Sequence, residues 1–199
     1  MASRTTRGAT VEAKRRLILI AAVKCFVEQG FHQTSIRDIA ERAGVSVGNL
    51  YNHFAGKESL IAEIASLEAA DVSALSERLE AIANPVEAID RFIVLYAEYF
   101  SQRENIVLTA EIIAECLRNP EIGAGFVTNR TELVATLARR IKMAARELDL
   151  TLAGPPVELA NPILDVVEGL AMRAALAGRK PTDAEIKAAK SVTRRIAFK

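Results

Sequence analysis

A run of small and hydrogen-bonding residues near the amino terminus is the part of the sequence best suited to recognise another molecule. It reads TSIRDIAERAGVSVGNLYNHFAGKESL, from Thr34 to Leu60. Its apolar spacing predicts two short helices joined by a tight turn at residues 44–46, the geometry of a helix-turn-helix. The second helix should present these mostly uncharged residues outward: Ser46, Val47, Gly48, Asn49, Tyr51, Asn52 and His53. A helix with such a surface fits the major groove of DNA.

Local signals fix the ends of these helices. Ser35 and Asp38 have the spacing of a capping box, so a helix should begin there and run to about residue 43. Gly30 is placed to end a preceding helix over residues 11–29. Ser46 is placed to cap the second short helix, over residues 47–54. The small core between the two short helices is expected to come from Ile36, Ile39, Ala40, Ala43, Val45 and Leu50.

The remainder of the sequence keeps a helical period, so we predict an all-α chain of about nine helices. A long helix should run from 57 to about 81, and Asn-Pro pairs at 84–85 and 119–120 are strong start signals. Further helices are predicted over 84–102, 105–118, 120–148, from the 151–156 loop to 176, and from Thr182 onward. Pro162 either kinks its helix or starts it. We expect a three-helix domain over residues 1–56 and a larger helical domain over 57–199.

The charge is unevenly distributed along the chain. The net charge is +1, yet residues 1–60 contain nine basic and five acidic side chains, an excess of four. Residues 1–60, called the head below, are therefore basic, and the rest of the chain, called the body, is slightly acidic. This asymmetry favours a polyanionic partner for the head. Cys25 and Cys116 lack metal-type spacing and are interpreted as reduced thiols of a cytoplasmic protein. The sequence has no apolar run long enough to span a membrane, so no membrane partner is expected.

Little in the sequence favours an enzyme. It contains two histidines, His32 and His53, both in the head. It lacks the HExxH, GxSxG and P-loop patterns and paired metal-binding cysteines, so neither a metal nor a cofactor is expected. A constitutive DNA-binding or architectural protein remains an alternative to a ligand-responsive regulator. The large body favours the regulator, because a head alone would suffice for binding.

The head resembles the DNA-binding domain of the TetR family of repressors over about 50 residues. The resemblance is carried by Gly30-Phe31, residues 34–40, residues 43–46, and residues 50–58 with Leu60. It implies an amino-terminal helix-turn-helix domain and a larger carboxy-terminal domain for dimerisation and ligand binding. It further implies a regulator, most often a repressor, that binds a palindromic double-stranded operator as a dimer and responds to a small-molecule inducer.

The resemblance also assigns residues to the bases. Arg37 matches an arginine that reaches a base edge, and its forked guanidinium suits guanine O6 and N7. Val47, Gly48 and Asn52 occupy positions that face the groove, where valine can touch a thymine methyl group. Asn52 stands where many relatives have an aromatic residue.

A second set is assigned to the DNA backbone. Tyr51 and His53 resemble a pair that contacts phosphates. Lys57 begins a helix, where its ammonium group and the helix amino terminus both favour a phosphate. Thr34 and Ser46 offer hydroxyl groups to the sugar-phosphate backbone of the DNA.

The body offers apolar candidates for an inducer pocket, which should accept a small hydrophobic or aromatic molecule. The apolar candidates are Phe92, Tyr96, Phe100, Ile113, Cys116, Phe126 and Leu133, and Arg130 is a candidate polar group of the pocket. Glu111 and Glu115 lie one turn apart, where they either meet a cationic ligand in the pocket or line a solvated face, and the solvated face is the favoured interpretation. The last two helices carry small or apolar stripes suited to a homodimer contact between four helices. These stripes are Gly169, Ala171, Ala174 and Ala175, and Ile186, Ala189, Val192 and Ile196.

Overall fold

The computed structural model describes the backbone of residues 3–199, and side chains from residue 11 onward except at positions 69, 122, 123 and 125. Arg4 and Arg7, counted in the basic head, lie outside the described side chains. The described chain confirms an all-α fold of nine helices. They are α1 (Ser3–Gln29), α2 (Ile36–Ala43), α3 (Val47–Tyr51), α4 (Lys57–Ala81), α5 (Pro85–Phe100), α6 (Arg103–Arg118), α7 (Pro120–Glu147), α8 (Pro156–Leu176) and α9 (Asp183–Ala197).

The predicted capping signals are confirmed around α2. The Asp38 amide donates to Ser35 Oγ at 3.2 Å, and the Ser35 amide donates to Asp38 Oδ2 at 2.8 Å. The hydrogen bond from the Ser35 hydroxyl is the largest cause that lowers the pKa of Asp38. Gly30 ends α1 with φ +83°, and Gly44 ends α2 with φ +67°. Both angles lie in the left-handed region, where residues with a Cβ are strained.

Replacing Ser35 by alanine is expected to destabilise the protein by about 1 kcal/mol, because the Asp38 amide at the start of α2 loses its acceptor, Ser35 Oγ. Urea unfolding followed by circular dichroism measures this loss. Ser73→Ala is the matched control, since Ser73 is an exposed residue inside α4, where alanine is a better helix former. Equal midpoints for the two variants would contradict the role of Ser35.

Several helix boundaries differ from the sequence prediction, and α1 begins at Ser3 rather than at about residue 11. Helix α3 ends at Tyr51 rather than residue 54, because the chain turns to bury Phe54, which is 3% exposed. Helix α8 begins at Pro156 and continues through Pro162. Pro162 therefore does not start its helix. Proline lacks an amide hydrogen, so one backbone hydrogen bond is missing at this point of the helix.

The chain divides into two compact units. The first ends at Leu67 and adds Val107–Gly123, and the second consists of Glu68–Ile106 and Ala124–Lys199. Helices α4, α6 and α7 therefore contribute residues to both units. In the second unit, α5 packs against α8 and α9, and α8 packs against α9. Its fully buried centre includes Phe92, Ile93, Ile141, Ile163 and Val167.

The two cysteines lie in different helices, Cys25 in α1 and Cys116 in α6. No disulfide joins Cys25 and Cys116. Cys25 is buried in α1, and this burial raises the pKa of its thiol. The protonated side chain then acts as a small apolar residue in the core of the head.

Candidate nucleic-acid interface

Helix α3 has one buried anchor and an otherwise open surface. Leu50 is fully buried, and the Asn49 amide donates to the capping Ser46 Oγ at 3.1 Å. Val47, Tyr51 and Asn52 are exposed. A Cβ added at Gly48 would meet no atom within 4 Å. The helix is therefore held from beneath, while its outer surface is free to approach another molecule.

The predicted base-contacting residues are open to solvent. Arg37 is exposed in the first turn of α2, and Ser46, Val47 and Gly48 are exposed at the start of α3. Their contacts with bases remain a prediction.

Two residues assigned to phosphates have partners inside the head. The buried Thr34 hydroxyl donates to the carbonyl of Gly30 at 2.8 Å. Lys57 Nζ donates to the carbonyls of Phe31 at 2.8 Å and His32 at 3.2 Å, and lies 4.7 Å from the centre of the Phe31 ring. Both side chains hold the loop between α1 and α2. The Thr34 hydroxyl has no second hydrogen to donate to a phosphate, so the predicted contact with the DNA backbone does not fit its position. Any contact that Lys57 makes with DNA is additional to this role and remains a prediction.

Arg15 is a positioning residue that sequence reasoning missed. Its guanidinium donates to the carbonyl of His53 at 3.0 Å and to Glu63 Oε2 at 2.8 Å. It also lies 4.4 Å from the centre of the Phe54 ring. Arg15 thus ties α1 to the segment that follows α3 and to α4. Its partners are 38 and 48 residues away in sequence, so no local pattern identifies them.

Helix α6 holds the loop between α1 and α2 through two carboxylates. The Phe31 amide donates to Glu111 Oε2 at 3.0 Å. His32 Nε2 lies 3.0 Å from Glu115 Oε1, which also accepts a hydrogen bond from Arg118 at 2.6 Å. The expectation of a solvated face was wrong for Glu115, which is 7% exposed. The head is therefore held in part by a helix far from it in sequence.

The predicted pocket residues are divided between the two compact units. Phe92, Tyr96, Phe100 and Leu133 are buried in the second unit. The Tyr96 ring lies 5.2 Å from Phe92 and 4.4 Å from Phe100, measured between ring centres. Phe126, also in the second unit, is half-buried. The remaining apolar candidates lie in the part of α6 that belongs to the first unit, with Ile113 exposed and Cys116 half-buried.

A polar cluster adjoins the buried aromatic residues. The Tyr96 hydroxyl donates to Glu168 Oε1 at 3.1 Å, and Arg130 pairs with the same oxygen. Arg130 also donates to Asp165 Oδ1 at 2.8 Å. Burial is the largest cause that raises the pKa of Tyr96, and Glu168 raises it further. Tyr96 therefore stays a neutral donor. The acidic partners of Arg130, Glu168 and Asp165, were not among the pocket candidates predicted from the sequence.

Metal-binding clusters and membrane-spanning helices are absent from the described residues. They contain no group of three or more His, Cys, Asp or Glu side chains that could hold a metal ion. Within the same residues, no helix combines the length and apolar character needed to cross a bilayer.

Known proteins resemble the chain in sequence and in fold. A family model described as bacterial regulatory proteins, tetR family, matches residues 18–64. The regulator UidR of Escherichia coli (strain K12) is 32% identical over 138 residues, which are 69% of each chain. The structure of Salmonella enterica GusR has a TM-score of 0.76 at 23% identity, covering 92% of this chain and 95% of GusR. A Saccharomonospora viridis protein solved in complex with choline has a TM-score of 0.80 at 20% identity, covering 94% of this chain and 99% of that protein.

These comparisons agree with the geometry of the head. The matched segment begins in α1 and ends in α4, so it contains the whole helix-turn-helix. The relatives are transcriptional regulators and not enzymes. The chain is a transcriptional regulator with an amino-terminal helix-turn-helix, and it belongs to the TetR family of bacterial regulatory proteins.

Proposed function

We propose that the protein is a ligand-responsive repressor that binds a palindromic operator as a homodimer. The observation that carries this proposal is the exposed, uncharged surface of α3 above the buried Leu50. Selection from random double-stranded DNA by the full-length protein tests it. We expect an enriched site with two inverted halves whose centres lie one helical turn apart, about 34–36 Å. Enrichment of single half-sites, or of no sequence, would contradict the proposal.

In the proposed complex, two groups of side chains divide the work of recognition. Arg37, Val47, Gly48 and Asn52 read base edges. The phosphate contacts come from Tyr51, His53, Lys57 and the hydroxyl of Ser46, whereas the buried Thr34 hydroxyl is committed to the Gly30 carbonyl. Phosphate contacts fix the register of a protein on the duplex, whereas base contacts supply specificity. Tyr51 is suited to a phosphate because its side chain is exposed and carries a hydroxyl donor.

Arg37→Ala is expected to relax the preference at one base pair of each half-site by about 1–3 kcal/mol, because a bidentate contact with guanine is lost. Fluorescence anisotropy with the selected operator, single-base variants and random DNA measures this change. Affinity for random DNA should change much less, since that binding depends on phosphates. Equal weakening on specific and random DNA would assign Arg37 to the phosphate backbone instead.

The proposed dimer uses the outer surfaces of α8 and α9. Met172 and Leu176 lie one turn apart on α8 and are 42% and 81% exposed, and Val192 on α9 is 41% exposed. Ala171, Ala174 and Ala189 face inward and are buried in the second unit. Their small size lets α8 and α9 pack closely, which leaves the larger apolar side chains outside. A second copy of the chain would remove these side chains from water.

We further propose that the inducer is a small hydrophobic or aromatic molecule that binds the body. The buried aromatic series Phe92, Tyr96 and Phe100 supplies apolar surface, and Arg130 with Glu168 supplies polar groups beside it. A structure of this fold has been solved in complex with choline, so the fold admits a small molecule.

Helix α6 offers a route from the body to the head. Its first residues belong to the second unit, while Glu111 and Glu115 hold the α1–α2 loop within the first. A ligand that moves α6 would therefore act on Phe31 and His32. A coupling of about 1–3 kcal/mol would release operator DNA about 5–150-fold. Titration of metabolite and drug panels against the operator complex tests this, and a panel without effect would favour a constitutive DNA-binding protein.

A further inference from the structure

The basic charge of the head is concentrated in its first 16 residues. They contain five basic side chains and one acidic one, whereas residues 17–60 contain four of each. The first 16 residues therefore account for the whole positive excess of the head. We call residues 4–16 the amino-terminal basic segment. It precedes the residues that match the family model, 18–64, so the charge lies outside the helix-turn-helix.

The helix-turn-helix has few basic side chains to offer to phosphates. Arg42 Nη2 pairs with Glu28 Oε2 at 2.5 Å, and the Lys57 ammonium group donates to two loop carbonyls. Arg37 is assigned to a base edge in the proposed complex, which leaves only Lys24 of the four basic residues in 17–60. Affinity for DNA of any sequence comes mainly from basic side chains that neutralise phosphates. Part of this charge must therefore come from another segment.

The first turns of α1 extend beyond the surface of α3. The chain at the carboxy-terminal end of α1 is held by α6, where the Phe31 amide donates to Glu111 Oε2 at 3.0 Å. Further towards the amino terminus, the Arg15 guanidinium donates to the carbonyl of His53 at 3.0 Å, directly after α3. From Arg15, α1 continues away from α6 to Ser3, a distance of about 18 Å at 1.5 Å per residue. This stretch of α1 therefore leads past the end of α3.

Four basic residues of the segment fall on one side of α1. At 3.6 residues per turn, positions 4, 7, 14 and 15 lie within an arc of about 100°, and the acidic Glu12 lies outside it. Arg15 shows that this side faces the segment after α3. Lys14 is exposed and forms no ion pair with a described side chain. A row of positive charge that starts beside the end of α3 fits the phosphates that flank a half-site.

We propose that the amino-terminal basic segment binds DNA phosphates outside the half-site that α3 reads. The inference rests on the proposed operator binding only for the position of the segment on the duplex. A length of about 18 Å spans about five base pairs, because phosphates of one strand are about 3.4 Å apart. Since these contacts involve the DNA backbone alone, they increase affinity without adding a sequence preference.

Replacing Arg4, Arg7 and Lys14 together by glutamine tests the proposal. Fluorescence anisotropy with random duplex DNA, from about 50 to about 200 mM salt, measures the affinity. We expect at least about a tenfold loss, and a plot of log K against log salt concentration that is shallower by about 2–3 for each head, since each phosphate contact contributes about 0.9 to the slope. Glutamine is a good helix former, so the thermal midpoint should not change. An unchanged affinity and slope would overturn the proposal.

A matched control removes the same charge from the second unit. Arg78, Lys142 and Lys180 are exposed residues of that unit, and their joint replacement by glutamine should leave both the affinity and the slope unchanged. An equal loss in the control would show that net charge matters and not the segment, which would also overturn the proposal.

Hydroxyl-radical footprinting on the selected operator locates the contacts. The unmodified protein should protect the DNA backbone up to about five base pairs outside each half-site, and the variant at positions 4, 7 and 14 should lose this outer protection alone. Outer protection that persists in the variant would refute the assignment. The measurement with random DNA needs no operator, so a failure of this inference is distinguishable from a failure of the proposed repressor function.

Discussion

Replacing both Met172 and Leu176 by glutamate is expected to turn the protein into a monomer and to weaken operator binding at least about 100-fold. The two residues are 42% and 81% exposed and lie on one face of α8. In the proposed dimer, their carboxylates would meet the same residues of the partner across a two-fold axis. Four buried charges of one sign cannot be accommodated there. Sedimentation velocity measures the oligomeric state, and fluorescence anisotropy measures the affinity.

The loss of affinity follows from bivalency. When two heads are linked in a dimer, binding of the second half-site is intramolecular, which increases avidity about 10²–10⁴-fold. A monomer retains only the contacts of one head. The variant should therefore still bind random DNA weakly and with the salt dependence of phosphate contacts.

The chain provides a closely matched control on α6. Ile113 and Leu117 are also one turn apart and are 40% and 83% exposed. The double substitution Ile113→Glu with Leu117→Glu thus adds the same charge to a surface of similar exposure and should leave a dimer that binds the operator. If the α6 double variant were a monomer while the α8 double variant stayed a dimer, the dimer interface would lie on α6 and not on α8.

The features that the sequence predicted best are those that depend on neighbouring residues. A capping box joins positions three residues apart. The predicted box of Ser35 with Asp38 forms, and Thr182 forms one with Glu185 at the predicted start of the last helix. Positive φ at Gly30 and Gly44 is likewise a local property of a chain that must leave a helix and turn. Together with helical periodicity, these signals were sufficient for the number and order of the helices.

Boundaries set by packing were less predictable. The polar residues after Tyr51 are compatible with a longer helix, and burial of Phe54 ends α3 early. Pro162 is a helix breaker by its chemistry, yet α8 continues through it. Leu159, Ile163 and Val167 are buried on one side of this helix. Their burial stabilises the continuous helix against the missing hydrogen bond.

The contacts of charged side chains were the least predictable part of the candidate site. Phe31 and Glu111 are 80 residues apart, and no local pattern relates them. Lys57 has the right type and position for a phosphate, but carbonyls of a nearby loop satisfy the same ammonium group. Residue type alone does not distinguish a DNA contact from an internal hydrogen bond, because both require the same donor.

Truncation of Leu50 to alanine is expected to destabilise the head by about 2–5 kcal/mol. Leu50 is the buried residue of α3, and its side chain is fully enclosed. Its removal leaves a cavity beneath a helix of five residues, which has too few hydrogen bonds to persist without packing. Thermal unfolding measured by circular dichroism should show a midpoint lower by about 4–20 °C.

Val47→Ala separates recognition from stability. Val47 lies on the same short helix but is 38% exposed, so its truncation should shift the midpoint by no more than about 2 °C. It should nevertheless weaken operator binding if its methyl groups touch a thymine. Leu50→Ala should weaken specific and random DNA together, because it disorders the whole surface of α3, whereas Val47→Ala should act on the operator alone. A Leu50→Ala protein with an unchanged midpoint and full operator affinity would show that α3 is held by contacts other than this side chain.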